Sequence, residues 1–426
     1  MSWAFRKRLR SFLRSSLWVL PAISTLAAVL SVSILRSLDR QLGFQFFNFS
    51  PDGARALAAI VSAAMLSFVV LFFSVLLLTV QIASSTLSPR IIARPFRSRA
   101  LKASLGLFVF TLIYSMAVVG RSTEGNVGQL NIAMVIVLTV VSICVFLYVV
   151  EHVSKELRPV TVMADVVSEG IDVIKAVYPR TLAPGVFEKG PDEVFLGEPS
   201  RVIVHKGKPG VVQALDIEAL VEVAICAGCT IEVVPQVGDF VTSGDQVFRL
   251  YGGLPAFSSE KLLRHIVLER ERTFEQDPAF AFRIVVDIAS KALSPAINDP
   301  TTAVLALDQI HNLLREVGQR RLDVGLVHDP TGQLRLVYRT PDWEDFVGLA
   351  VTEIRQFGAN STQVVRRMRA LLENLIPLVA SHRSSALLQE LDLLKSTVDQ
   401  GFAMLQDRKR ADFADFQGLG GHRKTT

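Results

Sequence analysis

Four stretches of the chain carry no ionisable side chain over a length that can cross hydrocarbon: 17–35, 56–89 at its longest, 103–120 and 129–150. At 1.5 Å rise per residue, about 20 residues span the apolar core of a bilayer, so each predicts a transmembrane helix, the first and third narrowly. Apolar positions then recur at helical spacing between Val153 and Val177, predicting that the fourth helix continues past the membrane with a kink at Pro159. The pattern changes after 184–199, a segment rich in Gly, Pro and acidic residues that reads as a linker. Short β-rich runs follow between 200 and 253: RVIVHK, VVQALD, TIEVVPQ and DFVTSGDQVFRLY. Within the last, Thr242-Ser243-Gly244-Asp245 signals a turn between two strands, while 217–227 is helical with Leu220 and Val223 on one face.

From 258 onward helical periodicity dominates. Asp277-Pro278 and Asp299-Pro300 each pair an N-cap acid with Pro at the first helical position, a preferred way to start a helix. The helix from 300 to 316 shows Val304, Leu307, Ile310 and Leu314 as its apolar stripe. The segment 322–339 reads as a hairpin turning at Asp329-Pro330-Thr331-Gly332, and amphipathic helices are expected near 343–356, 361–380 and 386–405. His382-Arg383 marks the break between the last two, and the tail 407–426 reads as disordered. The expected fold is thus four transmembrane α-helices followed by a mixed α+β cytoplasmic domain. Its parts are a basic N-terminus (1–16), the spans (17–152), a helical extension and linker (153–199), a small barrel-sandwich-like β module (200–253), a mostly helical part with one hairpin (254–406) and the tail.

Charge sharpens this picture. The formal net charge of +5 is the sum of +11 in residues 1–160 and −6 in residues 161–426. A basic surface for nucleic acid would need clustered Lys and Arg in the soluble part, which is instead acidic, so no nucleic-acid partner is expected. Five basic residues precede the first span and five (Arg90, Arg94, Arg97, Arg99 and Lys102) separate the second from the third. The other two connections hold three and one. The positive-inside rule then places both termini in the cytoplasm. A cleaved signal peptide at the first span would leave three spans and break that alternation. The 89–102 loop interleaves basic and apolar residues and could lie on anionic lipid, although orientation by positive charge, which every inside loop needs, is the favoured account.

No span carries Asp, Glu, Lys, Arg or His in its interior, which argues against proton-coupled pumping and voltage sensing. The second span instead repeats polar side chains every seven residues: Ser67, Ser74, Gln81 and Ser88. Seven residues are nearly two helical turns, so these form one narrow stripe, a candidate pore lining in a symmetric assembly. Hydrogen bonding between neighbouring helices is the commoner use of such residues.

Candidate chemistry elsewhere is sparse. Cys226 and Cys229 form a lone C-x-x-C at the wrong end of a helix for a reactive thiol and lack a second ligand pair for zinc; Cys144 reads as packing in the fourth span. Val237-Gly238-Asp239 and Ser243-Gly244-Asp245 look like the bends of a biotinyl/lipoyl-type hairpin, with Gly at φ > 0, but no modifiable Lys sits there. The densest polar segment is 269–302, with Glu271, Arg272, Asp277, Arg283, Asp287, Asn298 and Asp299 as candidate site residues. Arg283, Asp287 and Lys291 are spaced to pair along one helix face. Their spacing matches no metal-ligand loop, and no nucleotide or hydrolase motif is present, so neither metal, cofactor nor catalytic residue is expected. A buried ion-pair network with two helix caps is the plainer account of this cluster.

The string ERTFEQDPAFAFRIVVDIASKALSPAINDPTTAV, with RSSLWVLPA, SVLLLTVQIASSTLSPRII, VVQALDIEAL and VGDFVTSGDQVF, resembles a family of uncharacterised bacterial predicted membrane proteins, domain of unknown function 2254. The resemblance implies membership and a membrane location and carries no catalytic residues. On these grounds the chain is expected to be a non-enzymatic homo-oligomer in the lipid bilayer, channel-like or transport-related, with a cytoplasmic domain that assembles or gates it. The alternative expectation is a membrane-anchored scaffold that docks a cytosolic protein partner.

Overall fold

Ser50 accepts a hydrogen bond from the Gly53 amide at 3.2 Å and Pro51 follows it, so the longest apolar run starts as a capped helix. The computed structural model of the protein describes residues 16–42, 50–88, 90, 98–121, 128–156, 158–182, 196–253 and 258–419. The described residues divide into two compact units, one up to Arg158 and one from Pro159 onward.

The first unit holds four helices long and apolar enough to cross a membrane: α1 (Val19–Leu42), α2 (Pro51–Ile82), α3 (Arg99–Arg121) and α4 (Gln129–Glu156). Helix α3 is the centre, packed against each of the other three and the most buried of the four. Its polar side chains face inward and are paired. Tyr114 donates to Asn131 Oδ1 at 2.7 Å, and the Thr111 and Ser142 hydroxyls meet at 3.2 Å. With no water in hydrocarbon, such pairs are how polar groups persist inside a span. The outer faces are apolar and uncovered, as at Ile60, Leu77 and Leu147, and contact the lipid bilayer. Cys144 is on that exposed surface rather than in the packing.

Helix α2 ends before the apolar run does. A π turn (Ala83–Leu87) follows it, and Ser88 is extended at φ −151°, ψ 141°. The residue before a proline is driven out of the α region, and Pro89 follows Ser88. Pro159 likewise does not kink α4. It opens a separate helix, α5 (Pro159–Val177).

In the second unit, five strands form one sheet in the order β1 (Arg201–Val204), β5 (Gln246–Tyr251), β3 (Thr230–Val233), β8 (Leu334–Tyr338), β7 (Leu326–His328). A smaller sheet orders β4 (Phe240–Val241), β2 (Gly210–Leu215), β6 (Ile266–Glu269). Helix α6 (Ile217–Ala227), capped by Asp216 and ended by left-handed Gly228, joins β2 to β3, and Leu220 and Ala224 bury its inner face. Two expectations change here. The Thr242–Asp245 turn does not close a hairpin, because β4 and β5 lie in different sheets; it is a corner, pinned by Gly244 N donating to His205 O at 2.8 Å. The β module is also not confined to 200–253: β3 pairs in parallel with β8 and β2 pairs with β6, so later segments complete both sheets. Long-range strand pairing leaves no local trace in sequence, which is why the boundary was invisible.

After the short helix α7 (Ser259–Leu263) and β6, the helical layer comprises α8 (Pro278–Ala292), α9 (Pro300–Gly318), α10 (Trp343–Phe357), α11 (Thr362–Leu375), α12 (Ser384–Gly401) and α13 (Leu405–Ala411). Helix α8 is the hub, packed on α5, α9 and α10. A Cβ on Gly170 of α5 would lie 2.4 Å from that of Ala281, so these helices approach closely only because both residues are small. Residues 405–419 are ordered against α11, contrary to the disorder expected from 407 onward. Arg366 donates to Phe413 O at 3.0 Å, the Asp415 amide donates to Arg366 O at 3.1 Å, and Gln363 donates to Gly418 O at 2.7 Å. Residues 420–426 lie outside the described residues.

Candidate functional site

Three of the four stripe residues fall together. Ser67, Ser74 and Gln81 all face out of the four-helix unit along α2, with the two hydroxyls donating to Ala63 O and Val70 O one turn back at 3.3 and 3.0 Å. They make no polar bond to a neighbouring helix of the same chain among the described residues; Tyr114, Asn131, Thr111 and Ser142 do that work. Ser88 does not belong to the stripe. It lies beyond the π turn, fully buried, because the extra residue per turn and the following Pro89 rotate it off the α2 face. Of the basic loop, Arg90 and Arg99 are exposed and Lys102 is half-buried, while Arg94 and Arg97 lie outside the described residues.

The candidates of 269–302 do not converge on one point. Helix α8 alone, with 15 residues, separates Asp277 from Asn298 and Asp299 by about 22 Å. At its start, Asp277 is almost fully buried, accepts from the Phe280 amide at 3.1 Å and is gripped by Arg272 through two nitrogens. Burial raises its pKa, opposed by Arg272 and the helix amides. Midway, Arg283 donates to Asp287 at 2.7 Å and, with its two outer nitrogens, to both oxygens of Glu353 on α10 at 2.6 Å each. The expected pairing with Asp287 is present, but the stronger partner comes from 70 residues away. At the far end, Asn298 takes φ +48° and Asp299 caps α9 through the Thr302 amide at 3.1 Å. Glu271 is exposed, and its carbonyl accepts from Gln213 at 2.8 Å. The charged residues therefore fasten separate junctions: Arg272 with Asp277 before α8, Arg283 with Asp287 and Glu353 midway, and Asp299 before α9. No group of three or more His, Cys, Asp or Glu is placed to hold a metal among the described residues.

Two buried charge sites were missed because their partners are backbone groups or lie across a turn. Arg383 is fully buried: it donates to Gly318 O at 3.1 Å and Arg320 O at 3.0 Å, beneath the Trp343 ring at 5.6 Å. There it satisfies the carbonyl end of α9 with a cation. Asp329 binds the Thr331 hydroxyl and Arg335 inside the β7–β8 turn, which hold its carboxyl well below the usual range. Of the C-x-x-C, Cys229 is buried with its thiol pKa raised by that burial, and Cys226 is exposed on α6. Both are free thiols.

Comparison with known proteins agrees with this picture of a membrane bundle followed by a mixed domain. Uncharacterised proteins of Mycobacterium tuberculosis and Mycobacterium bovis are 26% identical over 419 residues, covering 95% of this chain and 80% of theirs. No solved structure matches the chain. The model of the predicted membrane protein family DUF2254 matches residues 14–374, and the chain belongs to that family of multi-pass bacterial membrane proteins.

Proposed function

We propose that the protein works as a homo-oligomer in the bacterial inner membrane, with both termini in the cytoplasm. In this assembly the outward face of α2 meets its copies and lines a passive path for ions or small solutes. The observation that carries this reading is the outward orientation of Ser67, Ser74 and Gln81 on a helix whose own bundle does not use them. Between them the face is mixed, with Ala63, Val70 and Leu77 exposed alongside. A polar amide such as that of Gln81 is poorly served by lipid and well served by an identical amide across a symmetry axis. The absence of ionisable side chains within the spans fits passive rather than proton-coupled passage. The domain from Pro159 onward would then assemble or gate the path.

The test is flux of ions and small solutes from liposomes holding the purified chain, with Ser74→Leu and Gln81→Leu as blocked variants. Disulfide capture of Ser74→Cys, in a chain stripped of its three cysteines, reports the contact. A monomeric particle with no flux under any gradient would overturn the proposal.

A second reading, a membrane-anchored scaffold for a protein partner, draws support from exposed apolar side chains gathered near the C-terminus: Met404, Leu405, Phe413, Phe416 and Leu419. A stoichiometric partner in crosslinked pull-downs, lost on Phe416→Ser while liposomes show no flux, would favour it over a channel.

A further inference from the structure

The last part of the chain leaves large apolar side chains uncovered at one end of the C-terminal domain. Arg366 donates to Phe413 O at 3.0 Å and Gln363 to Gly418 O at 2.7 Å, so residues 413–418 run back along α11 toward its first turn. The turn between α10 and α11 meets the close of α12 at the same end, where a Cβ on Gly401 would lie 2.9 Å from Ala359 O. On these segments Phe357, Met404, Leu405, Phe413, Phe416 and Leu419 are each at least 54% exposed. Soluble surfaces scatter such residues singly, and a gathering of them marks a surface that meets something.

The charge beside them is basic. From Phe402 onward the sequence carries five basic and three acidic residues, whereas 161–401 carries eight more acids than bases. The three acids are engaged within the fold. Asp412 accepts from Arg369 at 3.1 Å, Asp415 from the Gln417 and Gly418 amides at 3.1 and 3.0 Å, and Asp407 lies 3.7 Å from Arg410. Lys409 and Arg410 are exposed in α13, with Met404 and Leu405 before them in the chain and Phe413 and Phe416 after. Exposed Phe and Leu interleaved with Lys and Arg compose segments that lie in a membrane interface. Connectivity keeps such an interface within reach, since only Leu157 and Arg158 separate α4 from α5.

We propose that this end of the domain docks on anionic lipid, with its apolar side chains among the headgroups and Lys409 and Arg410 on the lipid phosphates. Charge selects this occupant over a second copy, because two such ends brought together would oppose like charges. Shape selects it over a protein. The side chains project from a segment whose one helix, α13, has seven residues, and lipid accommodates irregular projections that a protein socket must match. The same side chains support the scaffolding reading above, so the occupant is what the experiment must separate. The α2 path is independent of it.

The full chain, stripped of its three cysteines, carries Gln417→Cys labelled with bimane; Gln417 is exposed beside Phe416. It is reconstituted in nanodiscs of phosphatidylcholine, alone or with an equal part of phosphatidylglycerol, whose acyl chains are plain or brominated. Bromine should quench the bimane in the phosphatidylglycerol discs, less in phosphatidylcholine alone, and less as salt is raised. Lys409→Ala and Arg410→Ala should each lower the docked-to-free ratio about five-fold, from about 1 kcal/mol per basic residue at an anionic surface. Phe413→Ser with Phe416→Ser should abolish the quenching. All four side chains are exposed, so an unchanged Tm is expected and checks that the domain remains folded. Equal emission in plain and brominated lipid, or quenching indifferent to lipid charge and to Lys409→Ala, would overturn the proposal. Absent quenching, with a stoichiometric protein retained by the native chain and lost on Phe413→Ser, would overturn it in favour of a protein partner.

Discussion

Gly238 stands directly against Arg272: a Cβ at Gly238 would lie 2.2 Å from a guanidinium nitrogen, and Gly238 itself has φ +97°. The guanidinium cannot move aside freely, because it is clamped on buried Asp277. The bend that resembles a barrel-sandwich turn is thus the seat of Arg272, which grips Asp277 at the start of α8.

Gly238→Ala should therefore lower stability by about 2–3 kcal/mol, combining backbone strain with displacement of Arg272. Gly244 is the internal control. It has φ +99° and open space around it, so Gly244→Ala should lose only about 1 kcal/mol. Thermal unfolding in detergent, followed by Trp343 fluorescence, measures both. Equal losses at the two glycines would refute the contact with Arg272.

The two buried aspartates should respond to pH in opposite directions. Asp277 has a raised pKa through burial, so its folded form favours the proton, and stability falls as pH rises from about 3.9 through the folded value. Asp329 is depressed by Thr331 and Arg335, so the stability it contributes is present above about 3.9 and is lost as pH falls through its folded value. Melting curves between about pH 3 and pH 7 should show Asp277→Asn flattening the decline on the rising side. Asp329→Asn should flatten the decline on the acid side, and parallel shifts for both variants would contradict this assignment.

Removing the Arg383 side chain should destabilise the domain by about 3 kcal/mol, because it leaves the Gly318 and Arg320 carbonyls buried without a donor. Arg383→Lys should recover little, since one ammonium cannot span the carbonyls that a planar fork reaches. Full recovery by lysine in the same melting assay would show that charge alone suffices.

Arg283→Lys should lower stability by about 1 kcal/mol, as the two parallel bonds to Glu353 become one. Adding Glu353→Gln should then have little further effect. A double-mutant cycle with additive losses would mean that the pair does not couple.

Sequence alone was enough for what depends on neighbours along the chain. Four apolar runs became four helices because backbone groups in hydrocarbon must bond within their own segment. Asp277 and Asp299 start their helices, and Gly238 and Gly244 occupy positive φ, because caps and turns are decided within three or four residues. Tertiary structure decided the rest. It took β8 from 334–338 to complete the sheet begun at 201, sent β4 and β5 into different sheets, and brought Glu353 to Arg283 and Arg383 to the end of α9. It also dispersed a polar segment that looked like one site, leaving Asp277 and Asp299 at opposite ends of α8. The reason is the same throughout: local rules set backbone conformation, whereas burial and charge pairing are settled only when distant surfaces meet.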